Sequence, residues 1–302
     1  MIKDLLTLLD LPSDRLSKIF ARAQALKKAR RHGKNPQTLK GKTLALIFEK
    51  PSTRTKVSFD VAMYELGGHS VCLESVSSQL GRGETYKDTG KVLSRYAHGI
   101  VVRTFAQKNV EELAAGASVP VINGLSDLYH PCQILTDLFT IQEVKKNILK
   151  LNVSYVGDGN NIANTWVMAA ILMGFRLRIA SPHGYEPSAM ILKKIDIGRT
   201  DNIVITRDPA EAVKDADVIN TDTWFSMGQE VAEEKRRTFR PYQVNRELLK
   251  HARKDAMVLH CLPAHRGEEI TDEVMDGPQS RIWDQAENRL HVQKAILEML
   301  LK

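Results

Sequence analysis

The sequence is short of several things, and each shortage closes off a class of protein. Its three cysteines, Cys72, Cys132 and Cys261, are too few and too scattered for a disulfide framework or a cysteine-based zinc site. A reducing compartment, the cytoplasm, is the expected setting. No apolar run approaches the roughly 18 residues that a membrane helix needs, so no membrane partner is expected. The opening MIKDLLTLLD carries acids inside its apolar run and lacks a small-residue cleavage site, so it does not read as a signal peptide. There is no internal repeat and no low-complexity stretch. The net charge of +7 is not gathered into one tail, nor are basic residues interleaved with aromatics. That argues against nucleic acid as a partner and is compatible with small acidic substrates.

What is present is ordinary globular material: 302 residues, 43% hydrophobic and 26% charged, enough for a sizeable core and about two domains. An N-terminal helix is expected, capped by Ser13, with Leu16, Ile19, Phe20, Ala23 and Leu26 at helical spacing. Apolar, β-rich runs then follow at 43–49, 70–74, 99–104 and 120–125, and a second series at 151–157, 176–181, 202–206, 216–221 and 257–262. Helix-length stretches separate most of them, such as KVSFDVAMYEL (56–66) and IANTWVMAAILMG (162–174). Near-continuous apolar strands alternating with helices imply parallel sheets covered on both faces. The expected fold is α/β, with two doubly wound parallel-sheet domains joined by bridging helices and an active site in the cleft between them. The boundaries fall at 1–140, 141–285 and 286–302. The segment 133–150 serves as a bridge, and a C-terminal helix, striped by Leu290, Ala295, Ile296, Met299 and Leu300, folds back on the first domain. EEKRRTFRP (233–241) and GRGET (81–85) read as surface loops.

Ligands of parallel α/β sheets bind beyond the carboxyl ends of the strands, and the unusual residues cluster there. EKPSTRT (49–55) opens a helix, with Ser52 and Thr53 as natural caps. Arg54 and Lys56 add two cations to a helix end that is already partly positive, which suits a bound anion such as phosphate; the alternative is a capped helix with a solvated Arg54. Arg103 ends the strand GIVV, where it is either a site residue or a plain surface arginine. His130 and Gln133 follow the fourth strand, where they can donate hydrogen bonds to a carbonyl, although a lone histidine is more often structural. Gln79 has no function visible from its local pattern.

GDGNN (157–161) opens like a dinucleotide fold, but Ile162 stands where the third glycine belongs and no acid ends the next strand. Asn160 and Asn161 are instead available to a polar ligand group. Asp222 follows the strand ADVIN and suits a substrate ammonium; the alternative is a loop-capping aspartate. His260 and Cys261 invite a cysteine-hydrolase or metal reading. Adjacent strand residues point to opposite faces, however, and plain packing is the simpler role for the thiol.

Six segments in order, FEKPSTRTKVSFD (48–60), VRT (102–104), HPCQILTD (130–137), DGNNIANTW (158–166), DTWFSMG (222–228) and HCLPAHRGEE (260–269), resemble the aspartate/ornithine carbamoyltransferase family over nearly the whole chain. STRT and HP-x-Q imply carbamoyl phosphate as donor, while DTWFSMG and HCLPAHRG imply L-ornithine as acceptor. The implied activity is transfer of the carbamoyl group to the δ-amine of ornithine, giving citrulline and phosphate, in arginine biosynthesis. The resemblance implies a first domain that binds carbamoyl phosphate and a second that binds ornithine. Ser52, Thr53, Arg54, Thr55, Gln79, Arg103, His130, Pro131, Cys132 and Gln133 would bind carbamoyl phosphate, together with Cys261, Leu262 and Arg289. Asn161, Asp222, Ser226 and Met227 would bind ornithine. Arg54, Arg103, His130, Asp222 and Cys261 would be the catalytic set. Gln79 would come from a neighbouring subunit, implying a homotrimer or a multiple of trimers. No cofactor and no metal are implied. An NAD-dependent oxidoreductase built on GDGNN, and a non-catalytic nucleic-acid or regulatory protein, are the competing classes.

Overall fold

The computed structural model describes residues 2–75, 78–198, 201–225 and 232–302. The chain divides into two compact units, Met1–Leu135 with Asn288–Lys302, and Thr136–Glu287. Two helices, Pro131–Lys145 and Ile282–Leu301, carry the chain from one unit into the other. Each unit holds one wholly parallel sheet. The first contains β1 (Thr43–Phe48), β2 (His69–Glu74), β3 (Gly99–Arg103) and β4 (Val121–Leu125), in the order β2-β1-β3-β4. The second contains β5 (Asn152–Val156), β6 (Arg176–Ala180), β7 (Ile203–Thr206), β8 (Val218–Thr221) and β9 (Met257–His260), in the order β7-β6-β5-β8-β9. These match the nine apolar runs to within two residues at either end.

The strand orders locate the ligand positions. In the first sheet the chain winds outward from β1 to β2 on one side and through β3 to β4 on the other, so the winding reverses between β1 and β3. A crevice opens at such a switch point, beyond the carboxyl ends of the strands. Phe48 pairs with Arg103, so PSTRT and the Arg103 side chain emerge at that point together. In the second sheet the reversal falls between β5 and β8. Val156 pairs with Thr221 and Thr221 with His260, which sets Gly157, Asp222 and Cys261 side by side just past three aligned strand ends.

Four local expectations need correction. The helix Ser13–Arg31 begins after Pro12 without a side-chain cap; Ser13 is its first residue. Proline presets the extended backbone that an N-cap requires, and no side-chain acceptor takes part. Strand β2 is not covered on both faces: as an edge strand with one neighbour it leaves Val71 and Cys72 exposed. Residues 233–239 are not a loop but the helix Glu233–Phe239, whose N-terminal Glu233 and Glu234 and C-terminal Arg236 and Arg237 suit the helix dipole.

Finally, the C-terminal helix is buried nearly all round from His291 to Glu298 instead of along a narrow stripe. Its charged groups are paired inside the first unit: Lys294 Nζ lies 2.7 Å from Glu65, and Glu298 takes the Arg22 guanidinium and the Thr38 hydroxyl. A paired charge is the form in which burial is tolerated, which is why a purely apolar stripe underestimated the covered surface. No helix among the described residues is long and apolar enough to cross a membrane.

Candidate active site

The first unit gathers cations around one histidine. Ser52 caps the helix Thr53–Glu65, its hydroxyl accepting from the Thr55 N–H at 3.3 Å. Thr55 is buried, and its Oγ1 accepts from Arg103 Nη1 at 3.4 Å and Arg289 Nη2 at 3.3 Å. Arg289 also donates to Gln133 Oε1 and sits 3.4 Å from His130 Nε2. Arg103 and Arg289 are only 5% and 6% exposed, whereas Thr53 and Arg54 are open to solvent. Three residues read separately in sequence, Thr55, Arg103 and Arg289, thus share hydrogen bonds.

Burial, and then the fields of Arg289, Arg103 and Arg54, hold the His130 pKa well below its usual value. The ring is neutral, and since a guanidinium can only donate, Nε2 accepts and the ring proton sits on Nδ1 in this arrangement. Donation from Nε2 to a carbamoyl oxygen requires the other tautomer. A pocket in which burial, and after it the fields of three guanidiniums, keeps a histidine neutral suits an anion with more than one negative charge. Pro131 and Cys132 open the helix Pro131–Lys145; the Cys132 thiol donates to the Asn123 carbonyl, and burial pushes its pKa up to about 12, so it packs as a neutral group. Gln79 begins the short 3-10 helix Gln79–Arg82 and is exposed, away from these hydrogen bonds.

The depressed His130 pKa has a consequence for stability. An unfolded chain protonates this histidine below about pH 6.5, whereas the folded chain does not, so folding loses stability as pH falls through that window, by at most about 1.4 kcal/mol per pH unit. Urea unfolding at pH 8 and pH 5.5 should therefore show a smaller acid loss in His130→Gln than in the parent. An equal loss in both would show that His130 titrates normally in the fold.

The second unit gathers polar groups around one carboxylate. Asp222 is 6% exposed; its Oδ2 accepts from Asn160 Nδ2 at 2.7 Å and its Oδ1 from the Cys261 thiol at 2.9 Å. Asn160 also caps the helix Asn161–Met173, its Oδ1 accepting from the Ile162 and Ala163 N–H groups at 2.9 and 3.4 Å. Asn161 is therefore the first helical residue, one step from the carboxylate's holder. Ser226 and Met227 lie outside the described residues.

The strand β9 stops at His260, so the opposite-faces argument does not reach Cys261, and the thiol is not merely packed: it is partly exposed and bonded to Asp222. The loop beyond is pinned by His260. Its Nδ1 accepts the Leu262 N–H at 2.8 Å and its Nε2 donates to the buried Glu269 at 3.0 Å, which also accepts the His265 N–H at 2.6 Å. Leu262 takes a left-handed backbone, φ 61°, which a leucine holds only when its surroundings impose it. Asn160, expected to face a ligand, instead supports Asp222, and His260 supports the loop without reactive chemistry; Glu269 was not singled out at all. The dense polar run HCLPAHRGEE was the available signal for Glu269.

One ligand atom each of Asp222, His260 and Cys261 comes within 4.8 Å of the others, as do those of His265, Glu268 and Glu269. In the first group those atoms already serve the hydrogen bonds just described. The dinucleotide reading of GDGNN meets a physical obstacle. A Cβ on Gly159 would strike the Glu186–Pro187 backbone, so this glycine serves a close packing contact, not the approach of a pyrophosphate. Asn160 already occupies N–H donors at the following helix start.

Comparison with known proteins bears on both units. Residues 3–143 match the carbamoyl-P binding domain of the aspartate/ornithine carbamoyltransferases, and residues 149–300 match their Asp/Orn binding domain. The chain belongs to the aspartate/ornithine carbamoyltransferase family. It is 55% identical to an ornithine carbamoyltransferase of Syntrophus aciditrophicus over 302 residues, spanning 100% of both chains. It is 52% identical to the anabolic ornithine carbamoyltransferase of Pyrococcus furiosus, covering 99% of this chain and 96% of that one. The solved structure of ornithine carbamoyltransferase from Pyrococcus furiosus superposes with a TM-score of 0.95 at 52% identity, over 99% of this chain and 97% of that chain. That of Thermus thermophilus does so with a TM-score of 0.90 at 44% identity, over 100% of both.

Proposed function

We propose that this chain is an ornithine carbamoyltransferase, moving the carbamoyl group of carbamoyl phosphate to the δ-amine of L-ornithine and releasing L-citrulline and phosphate. The observation that carries the reading most directly is the meeting of Arg103 and Arg289 on the Thr55 hydroxyl beside a buried His130, with Arg54 near enough for its charge to act on the same ring. Their charge calls for a phosphorylated donor. Ser52, Thr53, Arg54, Thr55 and Arg103 bind its phosphate. His130, Gln133 and Arg289 take the carbamoyl end, along with the backbone of Cys261 and Leu262, while Pro131 and Cys132 shape the wall. Asn161, Asp222, Ser226 and Met227 hold the amino-acid end of ornithine.

The chemistry follows from charge. An alkyl amine such as the δ-amine has a solution pKa near 10.4, roughly that of lysine, so its nucleophilic neutral form is scarce at pH 7. Cationic neighbours and loss of water favour deprotonation. Asp222, paired with the α-ammonium, keeps that end charged and orients the other. The amine attacks the carbamoyl carbon and negative charge grows on the carbonyl oxygen, where Arg54, Arg103 and His130 stabilise it. The carbon–oxygen bond to phosphate then breaks, and the departing phosphate accepts the amine's proton. No covalent enzyme intermediate is required.

Gln79, exposed in the single chain, is supplied to the donor site of a neighbouring subunit, so the working assembly is a homotrimer or a multiple of trimers in the cytoplasm. The test of the reaction is its stoichiometry. Phosphate and citrulline should appear in equal amounts, and phosphate release without ornithine should not exceed that in buffer. Phosphate without citrulline would make the chain a hydrolase and refute the proposal.

A further inference from the structure

The helix Glu233–Phe239 touches all three loops at the carboxyl ends of β5, β8 and β9. Lys235 Nζ reaches the first, 2.8 Å from Asp158 Oδ2, with both side chains 12% exposed. The ammonium lies among three rings, 5.0 Å from the centre of Tyr185, 5.4 Å from Phe225 and 5.3 Å from Phe239. Phe225 belongs to the second loop, three residues after Asp222, and the Arg236 guanidinium covers the same ring at 5.9 Å. Arg236 Nη2 then reaches the third loop, 3.0 Å from Glu268 Oε1. The loop that Lys235 holds continues into Asn160, the residue that grips Asp222, and the loop that Arg236 holds begins at Cys261, which grips the other oxygen.

We infer that Lys235 and Arg236 are positioning residues for the acceptor, fixing the three loops that present Asn161, Asp222 and Cys261 to the amino-acid end of the substrate. Stability alone is a poor explanation for Lys235. A cation sunk in an aromatic cage gains little over an apolar side chain that fills the same space, whereas an ion pair fixes distance and direction. Lys235 also settles the local charge. Burial raises the Asp158 pKa, and Asp222 adds to that effect, so the two carboxylates repel. With Asp158 neutralised by Lys235, Asp222 is left as the carboxylate for one α-ammonium, which suits a substrate whose other amine must be uncharged to react.

The inference rests on the ornithine reading, and the test separates the two. In Lys235→Met, kcat/KM for L-ornithine should fall about a hundredfold, the scale of a 1 Å misplacement. The loss should fall mainly on KM for ornithine, with KM for carbamoyl phosphate unchanged. Lys235→Arg, which keeps the charge, should recover most of it. Glu268→Gln, at a partly exposed position, should raise KM for ornithine in the same selective way and decides the matter if Lys235→Met does not fold. Unchanged KM for ornithine in the folded variants, or an equal rise for both substrates, would overturn the inference. A parent protein that makes no citrulline would instead overturn the ornithine reading.

Discussion

Replacing Arg54 by alanine is expected to cut turnover about 10³-fold, the upper range for losing one preorganised donor to a developing oxyanion, while leaving the fold intact. Arg54 sits exposed in the first turn of the helix Thr53–Glu65, so its removal opens no cavity. A cation there opposes the helix dipole, and its loss should leave the thermal midpoint unchanged or slightly raised. The residue thus costs the free protein a little stability and is repaid only when an anion binds. Arg54→Lys should recover only part of the activity, because a lysine offers one charge but not the planar fork that meets two phosphate oxygens at once. Steady-state rates beside thermal melts check this. Near-normal turnover in a folded Arg54→Ala would remove Arg54 from the site.

Asp222→Ala should act on the other substrate. Removing one partner of a desolvated charge pair typically costs about 2–5 kcal/mol, so kcat/KM for L-ornithine should drop roughly 30- to 5,000-fold, with KM for carbamoyl phosphate unaffected. The aspartate's two oxygens already accept from Asn160 and Cys261, which leaves lone pairs to receive an ammonium in a fixed direction. Cys261→Ser, which keeps a donor to the same oxygen, should be much milder. If Asp222→Ala weakened both substrates equally, its role would be to hold the fold, not the acceptor.

The fold was legible because parallel strands mostly buried on both faces leave long apolar runs, and nine runs, the exposed edge strand β2 among them, were enough to define two sheets. Two of the exceptions, the C-terminal helix and the helix Glu233–Phe239, share one cause: burial that is satisfied by pairing does not look apolar in sequence. Lys294 and Glu298 look like surface residues until Glu65 and Arg22 are found opposite them. Lys235 reads as part of a solvated charge run until Asp158 and three rings enclose it. In the candidate site, strand-end position singled out Arg103 and Asp222, because ligands of parallel sheets bind beyond the carboxyl ends of the strands, but it left a surface arginine and a loop-capping aspartate as alternatives. It could not reveal that Arg289, 186 residues further on, would share the Thr55 hydroxyl with Arg103, since that depends on how a distant helix packs. Nor could it reveal His260 as the anchor of Leu262, because the strand's end one residue before Cys261 is a property of the loop, not of the run MVLHCL.

The amine that accepts the carbamoyl group defines the enzyme. The decisive measurement compares kcat/KM for carbamoyl transfer from carbamoyl phosphate to L-ornithine, putrescine, L-aspartate and N-acetyl-L-ornithine under one set of conditions. L-ornithine should be preferred strongly over all three, since only it offers both a free α-ammonium for Asp222 and a δ-amine. A preference for any of the others would contradict the acceptor assignment while leaving the carbamoyl-phosphate half standing; no transfer to any of them by folded protein would contradict both.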